Sequence, residues 1–519
     1  MLTVKIESTK RTYIKNLFVI DAHSHLGEDV DGATMMNPLA PGSGTFDFWT
    51  KVQAKLIEEW NKTGEKSFQT TMDGELIKLT FDFTPIPFIK KIFENLQTLN
   101  GNFSDVNEKT SHTSFIDQAV VFPFQDTFRN KRPEALYRAS NINISRFTTR
   151  FPFSFKLIGY CRVDPMEGEK AVNEVKYGNE VLGLRGLKLH PRSEGWIDHV
   201  NTQKPINVLI EAAKHSMPTL FDTRGRQTIL DIRDLITNTR NLIQKSYPEL
   251  LPHFKVIIGH CAQGNVEDYE VYEAIIQPNT IGELSMLHGS GAGNFFASFR
   301  NWYIKNNKEK STGKKWSEFL LYGSDYPYFG DVHAEKLIIY IINKQFFDSG
   351  GTLNDAENIL GLNLIKLLPE YNLPQIEKNN VMVRSTLIPN IQLGQGPPQD
   401  NIPLNIGTKI IAKLLSDNTI DISKLCFQFK ESFENYNNEA LLKTVSKTSP
   451  NKIANLLFMN LLQNQLAIIT PLKNDAIWNK FGYKYFSIED HELFNSVLSN
   501  SYPTNNINQA TQIISQIFQ

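Results

Sequence analysis

Short apolar runs that stop at side chains able to bind a metal or carry a proton recur along the first 370 residues of this chain. The run 17–20 ends at Asp21 and leads into His23-Ser24-His25. The run 184–189 carries Lys188 and ends at His190, and 218–221 ends at Asp222. The run 255–258 leads to Gly259-His260, and 319–322 leads to Gly323-Ser324-Asp325. Three further runs, 116–122, 156–161 and 280–284, lie among these, the last containing Glu283. Amphipathic helical patterns such as 206–215 and 230–245 separate most of them. Strands alternating with helices predict parallel pairing through crossovers, an α/β fold built as a (β/α)₈ barrel. In such a barrel the C-terminal strand ends converge on one mouth, where active sites are built. Runs one, four, five, six and eight therefore deliver His, Lys and Asp to one place.

The chain has 519 residues, more than one barrel needs. The barrel accounts for 15–370, with a long insertion after strand 1 at about 27–114. The insertion holds a Pro/Gly-rich turn at 37–44 and an amphipathic stretch at 46–60. Its place after strand 1 puts it over the mouth, as a cap on a pocket or as surface decoration. Its aromatic residues (Phe46, Phe48, Trp49, Phe81, Phe83, Phe88) read as local core. Beyond Leu368, Pro and Gly mark a linker, and the helical spacing within 385–519 predicts a mainly α-helical C-terminal domain.

Composition narrows the partners. Lys and Arg number 54 against 55 Asp and Glu, a net charge of −1, which gives no support for a nucleic-acid or polybasic membrane surface. The longest apolar runs, such as 337–342, fall far short of the ~20 residues of a membrane span. Residues 1–16 are polar and lack the apolar core of a signal peptide. Cys161, Cys261 and Cys426 are odd in number and far apart, which favours a reducing compartment over a disulfide framework. The expectation is a soluble, cytoplasmic protein acting on a small molecule, with no nucleic-acid or membrane partner, and free to form a homo-oligomer.

In an extended segment, side chains two apart project to one side, so His23 and His25 form a ligand pair at a strand end. Alone the pair is weak. Its place after a buried apolar run, with Asp325 and His260 closing other runs, favours metal binding over two satisfied polar residues. His190 reads equally as a structural histidine. Glu283 is divided between a substrate contact and a partner to other site residues. Arg224 and Arg226, just after the fifth run, can hold an anion or serve as solvated loop charges. Cys261 reads as a packing residue rather than a nucleophile.

The segments DAHSHLG (21–27), GLRGLKLHP (183–191), IIGHCAQG (257–264), YGSDYP (322–327) and ILGLN (359–363) resemble, in order and strand placement, the amidohydrolase superfamily. They fit best its amidohydrolase-related branch of metal-dependent TIM-barrel hydrolases and decarboxylases. The segment 159–165 is similar to that branch's third strand. The resemblance spans about 15–370 and implies the following roles. His23 and His25 are metal ligands. Asp325 binds metal and accepts a proton from water. His260 is a ligand or polarises the substrate. Lys188 is a substrate contact or, as in binuclear relatives, a carbamylated bridge, and His190 belongs to the same fourth-strand motif. The branch usually has histidine where this chain has Asp222. An added oxygen ligand leaves Zn²⁺ as the expected ion, with Mn²⁺ or Mg²⁺ as alternatives.

The activity implied is hydrolysis of an amide, lactone or ester by a metal-activated water. Asp325 serves as proton carrier. His260 or Lys188 stabilises the oxyanion, and His190, Arg224 and Glu283 face the substrate. Decarboxylation at the same site is one alternative. The other is a degenerate barrel that only binds or scaffolds.

Overall fold

The computed structural model describes residues 2–17, 19–26, 43–72, 74–83, 115–124, 134–148, 157–262, 267–287, 291–326 and 334–369. The expected helical domain at 385–519 lies outside them.

Eight parallel strands form one sheet in strict sequence order: β3 (Ile20–Leu26), β6 (Gln118–Pro123), β7 (Leu157–Arg162), β8 (Gly186–Leu189), β9 (Thr219–Phe221), β10 (Val256–Ile258), β11 (Thr280–Glu283) and β12 (Leu320–Leu321). The ring closes between its first and last members. Ala22 N donates to Tyr322 O at 3.1 Å, Asp325 N to His23 O at 2.8 Å and His25 N to Tyr326 O at 2.8 Å. This is the (β/α)₈ (TIM) barrel. Helices Arg138–Thr148, Glu169–Glu180, Gln203–Lys214, Arg226–Ser246, Tyr269–Ile275, Phe295–Lys305 and Ala334–Ile342 connect or follow the strands. Strands β6, β7, β8, β9 and β10 are buried along their whole length, as strands covered on both faces must be. Among the described residues no helix is long and apolar enough to cross a membrane.

Two features differ from the sequence reading. The first barrel strand is 20–26, so His23 and His25 lie within it rather than beyond it. A stretch of polar residues does not read as a strand, but here the buried polar side chains find polar partners at the C-terminal end of the barrel. Leu17 belongs instead to β2 (Thr12–Leu17), which pairs antiparallel with β1 (Leu2–Glu7).

The polar N-terminus is thus ordered. Leu2, Val4 and Ile6 alternate inward while Lys5 is exposed, the period of a half-buried strand. β1 also pairs with β5 (Glu75–Phe83) from the insertion, and β5 with β4 (Ser67–Met72), giving an antiparallel sheet of order β2-β1-β5-β4. The insertion and the N-terminus therefore build one layer. Lys15 Nζ ties it to the barrel's last helices through Glu357 Oε2 at 2.7 Å. Of the insertion's aromatics, Phe68 and Phe81 meet Phe347 of helix Lys344–Asp348 as a cluster, and Trp60 stacks on Phe83. This is local core. Phe88 and the Phe46 side chain lie outside the described residues.

Candidate metal centre

His23, His25, Asp222 and Asp325 are fully buried, and one ligand atom from each lies within 4.8 Å of all the others. Strand register explains the meeting. The β3–β6 pairing shifts between Asp21 and Ser24, and a local irregularity of this kind re-aims side chains. Both imidazoles turn Nε2 to Asp325 Oδ1, His23 at 3.2 Å and His25 at 3.3 Å.

The ring nitrogens of His23 have separate partners. Nδ1 stands 2.9 Å from Glu283 Oε2. A carboxylate there accepts the Nδ1 proton and leaves the Nε2 lone pair facing the centre, the form a metal requires. Burial first, then Lys188, holds His23 and His25 well below the ordinary imidazole range, so both are neutral. Glu283 also accepts from Ser285 N at 2.5 Å, Ser285 Oγ at 2.9 Å and His260 N at 3.3 Å. Its oxygens are therefore engaged by protein donors behind His23. Because Ser285 Oγ donates to Glu283, it accepts from His260 Nδ1 at 2.8 Å. His260 Nε2 is then left aimed at Asp222 Oδ1 (3.5 Å) and Asp325 Oδ2 (3.8 Å). Burial opposes charge on His260, but Asp325, Asp222 and Glu283 outweigh it and raise its pKa.

Asp222 is clamped by cations and donors. Lys188 Nζ lies 3.0 Å from Oδ2 and 2.8 Å from His23 Nε2. His190 Nε2 lies 3.3 Å from Oδ1, and Arg224 Nε lies 3.6 Å from the same oxygen. Ser193 N donates to His190 Nδ1 at 3.3 Å, so the His190 proton is on Nε2, on the side of Asp222 but without closing a hydrogen bond to it. Burial pushes Asp222 up, yet His190, Lys188 and His260 hold it well below the carboxylate range. Asp325 has no such clamp. Burial raises it to about 7, with His260 opposing and Asp222 adding to the rise.

The donor set passes a test for a divalent cation. Asp222 Oδ1 and Asp325 Oδ2 are buried without a hydrogen-bond partner, and both are metal-binding atom types. Two neutral imidazoles and two carboxylates suit Zn²⁺ or Mn²⁺.

His260 and Asp325 both have left-handed backbone, φ 56° and 54°, which is uncommon outside glycine and clusters at functional sites. The preceding glycines permit the close approach. A Cβ on Gly259 would meet Phe221 O, and one on Gly323 would run into Glu283 and His23.

Of the residues singled out from the sequence for this site, His23, His25, Lys188, His190, Asp222, Arg224, His260, Glu283 and Asp325 adjoin the centre and Arg226 does not. Arg224 is the exposed one, at 42%. Arg226 turns away to Asp268 and Glu270. Cys261 is buried and its thiol is pushed up by burial, which leaves it unreactive. Three elements escaped the sequence reading. Ser285 relays His260 to Glu283. Asp21 accepts from Ser324 N, Ser324 Oγ, His23 N and Trp49 Nε1. Arg162 pairs with Glu194 at 2.7 Å in full burial beside the fourth-strand loop. The position of Arg162 at the end of β7 was the available signal for that pair.

No family model matches the chain, and no curated protein does. Solved structures do resemble it. The neighbours are amidohydrolase-superfamily TIM-barrel enzymes, at low identity. One is a candidate amidohydrolase from Staphylococcus aureus (16% identity, 53% of this chain and 95% of that one, TM-score 0.35). Another is a 5-carboxyvanillate decarboxylase from Novosphingobium aromaticivorans, complexed with manganese and a nitrobenzoic acid (12%, 68% and 96%, TM-score 0.39). A third is 4-oxalomesaconate hydratase from Rhodopseudomonas palustris (13%, 68% and 96%, TM-score 0.35). Likeness at this level leaves the chemistry to the side chains.

Proposed function

We propose that this barrel is a metal-dependent hydrolase that cleaves a C–N or C–O bond (amide, lactone or ester) of a small molecule. The observation that carries the reading is the buried meeting of His23, His25, Asp222 and Asp325, with one ligand atom from each within 4.8 Å of the others. Asp325 lies between the His23/His25 pair and His260, and burial raises its pKa, so its carboxylate is placed to take and return a proton.

His23, His25, Asp222 and Asp325 would hold a divalent ion, which would supply Lewis acidity and lower the pKa of a water toward ~7. Zn²⁺ is our first choice of ion and Mn²⁺ the alternative. Asp325 takes the proton of the attacking water and delivers it to the leaving nitrogen or oxygen. His260, held through Nδ1 by Ser285, presents Nε2 to the developing oxyanion. Lys188 and His190 hold Asp222 in place. Arg224 stands at the half-open side of the centre, where it meets an anionic substituent. The same cation favours a second reading, decarboxylation, because it can hold a substrate carboxylate. We place the protein in the cytoplasm, a reading supported by Cys161 and Cys261 being free thiols.

The test is metal analysis of the purified protein, followed by assay of the Zn²⁺- and Mn²⁺-loaded forms. Panels of amides, lactones and esters are read for hydrolysis, and aromatic and aliphatic acids for CO₂ release. About one ion per chain and turnover in the first panel support the proposal. Release of CO₂ without hydrolysis selects the second reading. A protein that neither contains nor takes up a divalent ion refutes both.

A further inference from the structure

The insertion between the first two barrel strands packs onto the loop that carries Asp325. Helix Ser43–Thr63 reaches that loop by two adjacent residues, one directly and one through Asp21 of β3. The Trp49 indole N–H donates to Asp21 Oδ2 at 3.1 Å. Asp21 in turn accepts Ser324 Oγ at 2.5 Å and Ser324 N at 2.9 Å. One residue earlier, Phe48 stacks on Tyr326 with ring centroids 4.6 Å apart. The two neighbours of Asp325 in the chain, Ser324 and Tyr326, are thus each held by consecutive residues of the insertion.

Between them Asp325 has φ 54°, a conformation that persists only where the surroundings over-determine it. Within the barrel the loop is fixed by Asp325 N to His23 O, and by Tyr326 N to Ser324 Oγ at 3.1 Å. That Ser324 hydroxyl is itself oriented by Asp21, whose Oδ2 it shares with the indole. Phe48 and Trp49 are both buried, at 5% and 0%, so neither contact is loosened by solvent.

We infer that Trp49 and Phe48 are positioning residues. Through Asp21, Ser324 and Tyr326 they set the strained Asp325 loop so that its carboxylate faces His23 and His25. The insertion is therefore part of the metal-binding apparatus and neither a detachable cap nor decoration. This rests on the metal reading above, and the experiment separates the two.

Co²⁺ is the probe, read by chelator competition and by its visible absorption, with Tm measured in parallel. The full chain is compared with Trp49→Phe, Phe48→Leu and their double variant. Leu56→Val, a buried change on the same helix, controls for lost packing alone. Trp49→Phe keeps a buried aromatic ring while removing the indole donor, and the packing it loses is read against Leu56→Val through Tm, so the single variants remain informative even if the double variant does not fold. The expected result is a fall in Co²⁺ affinity of about tenfold in Trp49→Phe, the size seen when a group supporting a ligand is removed. The absorption bands should shift, and the double variant should bind more weakly still. Phe48→Tyr should restore wild-type binding relative to Phe48→Leu, and Leu56→Val should lower Tm with affinity and spectrum unchanged. If Trp49→Phe and Phe48→Leu lose Tm like the control yet bind Co²⁺ with wild-type affinity and bands, the helix is only core and the inference is overturned. A wild-type chain that binds no Co²⁺ overturns the metal reading and this inference with it.

Discussion

The two sides of the barrel mouth each present one buried aspartate, and the two behave oppositely. On the side of β8 and β9, Asp222 faces Lys188, His190 and Arg224 and is held ionised. On the side of β12 and β3, Asp325 faces two neutral imidazoles and burial lifts it to about 7. On the proposed function both aspartates would hold the ion, and Asp325, with its pKa raised, would also carry the proton. The backbone repeats the contrast, because Asp325 is in the left-handed region and Asp222 is not.

The sharpest way to break this contrast is Asp325→Asn, which keeps an oxygen and removes the titrating proton. Once a substrate is in hand, kcat should fall about 10²–10⁴-fold, the worth of a general acid–base group. Metal retained with activity intact would remove Asp325 from the proton path. Asp222→Asn should act on stability instead. It leaves the Lys188 ammonium buried without its countercharge, a loss of about 3–5 kcal/mol, read by urea unfolding of the metal-free protein. An equal loss in Asp325→Asn would erase the distinction between the two sides.

The pH dependence of the metal-free protein follows with opposite signs. The pKa of Asp325 is raised from 3.8 to about 7 on folding. Its contribution to stability is complete below 3.8 and is lost as pH rises through about 7. Asp222 is depressed, so its contribution is present above the ordinary carboxylate range and lost as pH falls through its folded value. Tm between pH 5 and 8 should therefore decline less in Asp325→Asn than in wild type, and acid stability should suffer less in Asp222→Asn. Parallel Tm profiles for all three would sink the assignment. The smallest effect is expected from Arg224→Ala. Its side chain is 42% exposed, so stability should change by less than about 0.5 kcal/mol. Inhibition by simple carboxylates such as benzoate should weaken, and unchanged inhibition would take Arg224 out of the anion site.

The barrel was legible because apolar runs recur with helical patterns between them. The centre was legible because a His, Lys or Asp closing a buried run needs a reason. What stayed hidden depends on geometry that no local pattern encodes. Glu283 stood between a substrate contact and a partner to other site residues, and only the folded chain shows its oxygens facing His23, Ser285 and His260. Asp21 read as the mere end of a run, and its four donors come from 2 to 303 positions away. The small sheet was overlooked because its strands come from both sides of β3 and pair through β1 and β5. The alternation of Leu2, Val4 and Ile6 was the cue, masked by the polar residues around them.

The seam of the ring also imposes an order in time. Two candidate ligands lie on the first barrel strand and a third follows the last, so His25 and Asp325 are 300 positions apart and meet only where β3 bonds to the segment 322–326. The fourfold donor set therefore does not exist until that segment has been made and docked on β3, and a nascent barrel halted before residue 325 would lack one of the proposed ligands.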